Sequence, residues 1–112
     1  MIFNILKVIK YNLRNTSLGI TMNVYLFIIT GKVQRVTYRK SVQQMASYGQ
    51  IQGYIKNLDD GTVEVVAFLY DDQFEDFMNI LKNGSPLSTV TDISYKILDE
   101  DDLMYDGFEI RE

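Results

Sequence analysis

The chain has 112 residues, of which 46% are hydrophobic and 23% charged, a balance that suits one folded domain and leaves no room for a second. It contains no Cys and no His, which excludes disulfides, zinc clusters, Cys or Ser-His nucleophiles and every imidazole acid or base. Eleven Lys and Arg against fifteen Asp and Glu give a net charge of -4, the opposite of a basic nucleic-acid footprint, so no nucleic-acid partner is expected.

Residues 1–21 hold Lys7, Lys10 and Arg14 and no acid, a charge of +3, which leaves 8 basic and 15 acidic residues, or -7, for the rest. Within this leader Ile2, Ile5, Leu6, Ile9 and Leu13 follow helical spacing with the basic residues between them. Lys7 and Lys10 interrupt the apolar stretch and no small-residue cleavage site follows, so it does not read as a secretory signal. No run in the chain has the length of a transmembrane helix. The expectation is a loosely held extension at 1–21, a domain at 22–112 and a cytoplasmic location.

Asn23 to Thr30 is short and rich in β-branched and aromatic residues, which predicts a buried first strand closed by Gly31. Tyr38, Val42, Met45, Ala46 and Gly49 then recur along one helical stripe ending near Gly49. Ile51–Lys56 and Thr62–Tyr70 read as two strands joined by a turn containing Asp60-Gly61, with Val63, Val65, Ala67 and Leu69 on one face of the second. Asp71 and Asp72 offer N-caps, with Glu75 placed as in a capping box, to a second helix with the stripe Phe74, Phe77, Met78 and Leu81, stopped by Gly84. Ile93, Tyr95 and Ile97 alternate as a fourth strand, and Phe108 with Ile110 suggest a short last one. The acidic run Asp99–Asp102 reads as a solvated loop, because Leu103 and Met104 break the calcium-loop pattern. The order β-α-β-β-α-β predicts an α+β fold, the ferredoxin-like sandwich, with two helices on one face of an antiparallel sheet.

Between the first strand and the first helix lies Gly31-Lys32-Val33-Gln34-Arg35-Val36-Thr37-Tyr38-Arg39. A loop entering a helix N-terminus presents backbone N–H groups without intrahelical partners, the helix dipole adds positive charge, and Arg39 in the first turn can fork onto a phosphate. With its spacing Gly31-x-Val33-Gln34-x-Val36-x-Tyr38-Arg39 this segment resembles the signature loop of the acylphosphatase family. Ala46-x-x-Gly49, Gly53-Tyr54-Ile55-Lys56-Asn57, Asp60-Gly61-x-Val63-Glu64, Gly84-Ser85-Pro86 and Phe108-Glu109-Ile110 follow that family's pattern in order, so the resemblance runs from about Asn23 to Arg111 and omits the leader.

The resemblance implies hydrolysis of small acyl phosphates to a carboxylate and inorganic phosphate, with no metal, no cofactor and no covalent intermediate. It assigns phosphate binding to Arg39 and to the loop Val33, Gln34, Arg35, Val36, Thr37, Tyr38 and Arg39, and the positioning of the attacking water to Asn57. Two residues depart from the family's pattern: Arg35 stands where glycine is usual, and Tyr38 where Phe is frequent. An ordinary backbone is expected at Arg35, its side chain reaching outward and adding positive potential beside the phosphate. Tyr38 is expected to pack its ring under the first helix with its hydroxyl bonded or wet. A monomer is expected. The alternatives are a non-catalytic phosphate- or partner-binding module of the same fold, and an RNA platform in which Tyr25 and Phe27 face the open side of the sheet.

Overall fold

Alternation along the first strand divides its side chains cleanly, and the half carrying Tyr25, Phe27 and Ile29 is the half that both helices cover. The computed structural model describes residues 21–99 and 106–112, so the leader up to residue 20 and Glu100 to Tyr105, which include most of the acidic run, lie outside the described residues. In chain order the elements are β1 (Met22–Lys32), α1 (Tyr38–Tyr48), β2 (Gln52–Asn57), β3 (Val63–Tyr70), α2 (Phe74–Asn83), β4 (Thr89–Leu98) and β5 (Phe108–Arg111). Among the described residues no helix is long and apolar enough to cross a membrane.

The sheet has five strands in the order β4-β1-β3-β2-β5. Its first four are antiparallel neighbours, with Phe27 opposite Val65 on one side and Tyr95 on the other. The fifth corrects the expectation of a purely antiparallel sheet: β5 lies beside β2 and runs parallel to it, Gly53 opposite Phe108 and Ile55 opposite Ile110. The reason is topological, because β4 and β5 occupy opposite edges and a chain that crosses the end of the sheet re-enters in the direction of β2. The fold is therefore α+β with a mixed sheet and two helices on one face.

Tyr38, Val42 and Ala46 of α1 and Phe77 and Leu81 of α2 close over Phe27, Ile29, Ile55, Val65, Ala67 and Leu69, each at 1% exposure or less. Burial of a side chain of this kind stabilises by roughly 1.5–3 kcal/mol relative to leaving it in water. Tyr25 and Phe27 belong to this core, in ring contact with Phe74 of α2, which removes them from the open side and with them the aromatic platform for RNA. Met45, placed on the same stripe by spacing, is half exposed.

Local details differ from the sequence reading in two places. Gly31 does not end β1. The strand passes through a bulge between Thr30 and Gly31 and continues to Lys32, and a Cβ on Gly31 would lie 2.0 Å from the Thr89 carbonyl oxygen. The second helix begins with a 3₁₀ turn over Asp71–Gln73, and the Gln73 side-chain oxygen accepts from the Tyr70 N–H at 2.9 Å, taking the part expected of the Asp72/Glu75 pair.

Candidate active site

Val33 and Val36 are buried at 1% and 7% exposure, and these apolar anchors hold the loop between β1 and α1 to the core. Polar braces complete the hold. Gln34 donates from Nε2 to the carbonyls of Leu58 and Thr62 at 2.8 and 2.9 Å, tying the loop to the turn that follows Asn57. That turn is itself fixed by Asp60, whose carboxylate accepts from the Thr62 hydroxyl at 2.6 Å and backbone N–H at 3.0 Å; the hydroxyl bond, above all, holds the Asp60 carboxyl below its usual range. Ser85, buried after Gly84, donates its hydroxyl to the Val36 carbonyl at 2.5 Å.

Tyr38 anchors the start of α1 from beneath. Its ring is buried, its hydroxyl donates to the Leu81 carbonyl at 2.7 Å, and burial pushes its ionisation well above the ordinary value of 10.0. Gly84, at φ 53°, is required there because a Cβ would come within 2.5 Å of the Tyr38 ring.

Between the anchors the backbone turns left-handed twice, at Arg35 with φ 63° and at Thr37 with φ 61°. The expected ordinary backbone at Arg35 is thus corrected. The position has the conformation for which glycine is the easy choice, and the neighbouring anchors hold an L-residue in it against a cost of roughly 1–2 kcal/mol. Left-handed residues two apart curve the chain into a concavity whose successive N–H groups suit an anion. Thr37 caps α1 without a side-chain hydrogen bond and no acid occupies the first turn, so the positive end of the helix dipole is uncompensated.

A pocket of about 170 Å³ opens against this concavity, lined by Val33, Arg35, Thr37, Tyr38, Arg39, Lys40, Asn57 and Ile110. Among the described residues its lining holds three cations and no acid. Arg35 is exposed, and Arg39 keeps about a quarter of its side chain in solvent. The Arg39 Nη1 donates to the Arg111 carbonyl at 2.9 Å, so β5 helps to hold the guanidinium at the pocket, and it lies 3.8 Å from the carboxylate of the exposed Glu112. Across the pocket, Asn57 ends β2 with its amide oxygen buried and accepting no hydrogen bond. Leaving such an oxygen unpaired costs roughly 1–3 kcal/mol.

The loop residues, Arg39 and Asn57 named from the sequence therefore meet at one place, but their parts divide. Gln34 braces rather than faces the pocket, and Val33 and Val36 anchor. The sequence reading missed Ser85 and the carbonyl of Arg111 as supports. Ser85 was visible in the family-like segment Gly84-Ser85-Pro86 but without a role, and the β5 contacts depend on the parallel edge pairing. Among the described residues no group of three carboxylates is placed to hold a metal ion.

An α+β sandwich that turns a strand-to-helix loop, its cations and a helix N-terminus onto one small pocket defines a class of domains whose site suits an anion. Within that class the chain belongs to the acylphosphatase family, whose model matches residues 25–110. It is 40% identical over 86 residues to an acylphosphatase of Borrelia garinii subsp. bavariensis, covering 75% of this chain and 92% of the relative. The crystal structure of acylphosphatase from Bacillus subtilis superposes with a TM-score of 0.74 and 36% identity, over 82% of this chain and 100% of that one. An acylphosphatase structure from Coxiella burnetii gives 0.72 and 31%, over 80% and 93%.

Proposed function

We propose that the chain hydrolyses the carboxyl-phosphate bond of small acyl phosphates, releasing a carboxylate and inorganic phosphate, and that its own residues suffice for the reaction. The observation that carries this reading is the convergence of Arg39, Asn57 and the left-handed loop residues Arg35 and Thr37 on one pocket. In this mechanism the amides of the loop and the Arg39 guanidinium hold the three phosphoryl oxygens. Nη1 of Arg39 is engaged by Arg111, which leaves its other nitrogens for the ligand. The Asn57 side-chain amide holds one water with a lone pair toward phosphorus, opposite the leaving carboxylate.

The water oxygen bonds to phosphorus, the bond to the acyl oxygen breaks with its electron pair leaving on the carboxylate, and the water proton passes to phosphate or solvent. A carboxylate is a good leaving group, so alignment and charge stabilisation are enough and no general base is required. The pocket is smaller than the ~300–1,000 Å³ of drug-sized ligand sites, which favours a short acyl group. We take the protein to act as a cytoplasmic monomer on small molecules; the net charge of -4 disfavours polyanions.

The test is phosphate release from an aryl acyl phosphate with an aliphatic phosphomonoester as control. Hydrolysis of the first alone is expected, with Arg39→Ala folded and slowed by roughly 10²–10³-fold as a preorganised donor is lost. Phosphate binding without turnover would instead identify a non-catalytic binding module. A folded Arg39→Ala variant with unchanged rate would remove Arg39 from the mechanism.

A further inference from the structure

The sheet face turned away from the helices is apolar at its centre. Val24 of β1 and Val66 and Phe68 of β3 are only 6%, 2% and 4% exposed, with Met22, Leu26, Tyr54 and Leu98 packed around them. Both described helices lie on the opposite face. An antiparallel sheet with one solvated face ordinarily alternates apolar-in with polar-out, and here the two central strands are apolar on both sides. Side chains this dry need a cover on their own side.

We propose that the N-terminal segment, residues 1–20, packs across this face, setting Ile2, Ile5, Leu6, Ile9 and Leu13 on Val24, Val66 and Phe68. The place where the segment joins the domain supports this. The Thr21 carbonyl accepts from the Asp71 N–H at 3.1 Å and Met22 pairs with Tyr70, so the segment meets the sheet at the end where Val24, Phe68 and Leu98 stand. Its length also fits: a helix over the twelve residues Ile2–Leu13 would be about 18 Å long, and the seven residues 14–20 give up to about 24 Å of chain for the return.

Width gives a further match. The dry side chains are confined to two neighbouring strands about 4.8 Å apart, a strip that a helix about 10 Å across can cover. The segment carries +3 and the rest of the chain -7, so the two attract. A helix this short is marginal alone in water and gains its stability by burying a stripe. The other chain outside the described residues, 100–105, offers only Leu103, Met104 and Tyr105 beside the acids Glu100, Asp101 and Asp102, and has no apolar stripe of helical length. The leader is on this view part of the folded domain rather than the loose extension expected from its lack of family resemblance.

The absence of cysteine makes a direct test available in the full chain. A nitroxide on Lys10→Cys, on the polar side of the stripe, is expected to attenuate the methyl signals of Val24 and Val66 far more than that of Val42 under α1. In the full chain, Ile5→Asp with Ile9→Asp is expected to raise the fluorescence of a hydrophobic dye several-fold and to lower the urea midpoint, while the fold is retained. Equal attenuation on both faces, or none, would overturn the proposal. So would a dimer by sedimentation whose attenuation disappears on dilution with unlabelled chain, which would make a second copy the cover. Binding of the full chain to anionic vesicles, lost in the double variant and accompanied by release of Val24 and Val66 from the label, would place the stripe on a membrane and overturn it equally.

Discussion

Replacing Arg35 with glycine separates the backbone of the loop from its charge. At φ 63° an L-residue costs roughly 1–2 kcal/mol, and glycine removes that cost. Glycine also gains freedom in the unfolded chain, which offsets about 0.4–1 kcal/mol. The expected net is a stabilisation of about 0.5–1 kcal/mol, or about 2–8 °C in the melting temperature of a domain of this size. The lost guanidinium borders the pocket but is exposed, so its electrostatic contribution is screened over the Debye length. Thermal and urea melts measure the first effect. Initial rates at low and high salt measure the second, with kcat/KM expected to fall at low salt, to approach that of the parent at high salt, and kcat to change little because Arg39 and Asn57 keep their supports. A loss of stability on Arg35→Gly would refute the left-handed assignment, and a salt-independent fall in kcat would show that Arg35 contacts the reacting group.

Asn57→Ala is expected to slow turnover strongly while inorganic phosphate still binds within a few fold, since water rather than phosphate loses its acceptor; equal losses in kinetics and in phosphate titration would contradict that role. With no His or Cys to titrate near neutrality, the rate is expected to stay nearly flat from about pH 6 to 8 and to survive excess chelator, and a sharp bell centred near neutral pH would remove the mechanism. Tyr38 has its ionisation raised by burial, so its contribution to stability is complete below the unfolded value of 10.0 and is lost as pH rises through the folded one. Tyr38→Phe is expected to lessen the alkaline fall in stability and to cost about 1–3 kcal/mol at neutral pH, by leaving the Leu81 carbonyl unpaired, as urea unfolding at both pH values would measure.

Strand and helix existence, and much of the core, followed from local pattern. Val63, Val65, Ala67 and Leu69 alternate, and all four are buried; Tyr38, Val42 and Ala46 recur at helical spacing, and all three face the sheet. The family's loop, Arg39 and Asn57 were legible because their order and spacing lie in short segments. Local pattern was silent where both choices look alike along the chain. In β1, Val24, Leu26 and Ile28 are as apolar as Tyr25, Phe27 and Ile29, so only the position of the helices decides which set enters the main core. The direction of β5 depends on which edge the chain reaches after β4. At Arg35 the residue type argued for an ordinary backbone, whereas Val33, Gln34, Val36 and Tyr38 pin the loop on both sides and hold the left-handed turn against its local cost. The unpaired oxygen of Asn57 is likewise a property of three elements meeting around a pocket. The sequence by itself therefore determined the elements and the chemical groups available, since those rest on periodicity and residue type, while the tertiary structure decided strand direction, loop conformation and which side chains share the pocket, because each arises from contacts between residues far apart in the chain.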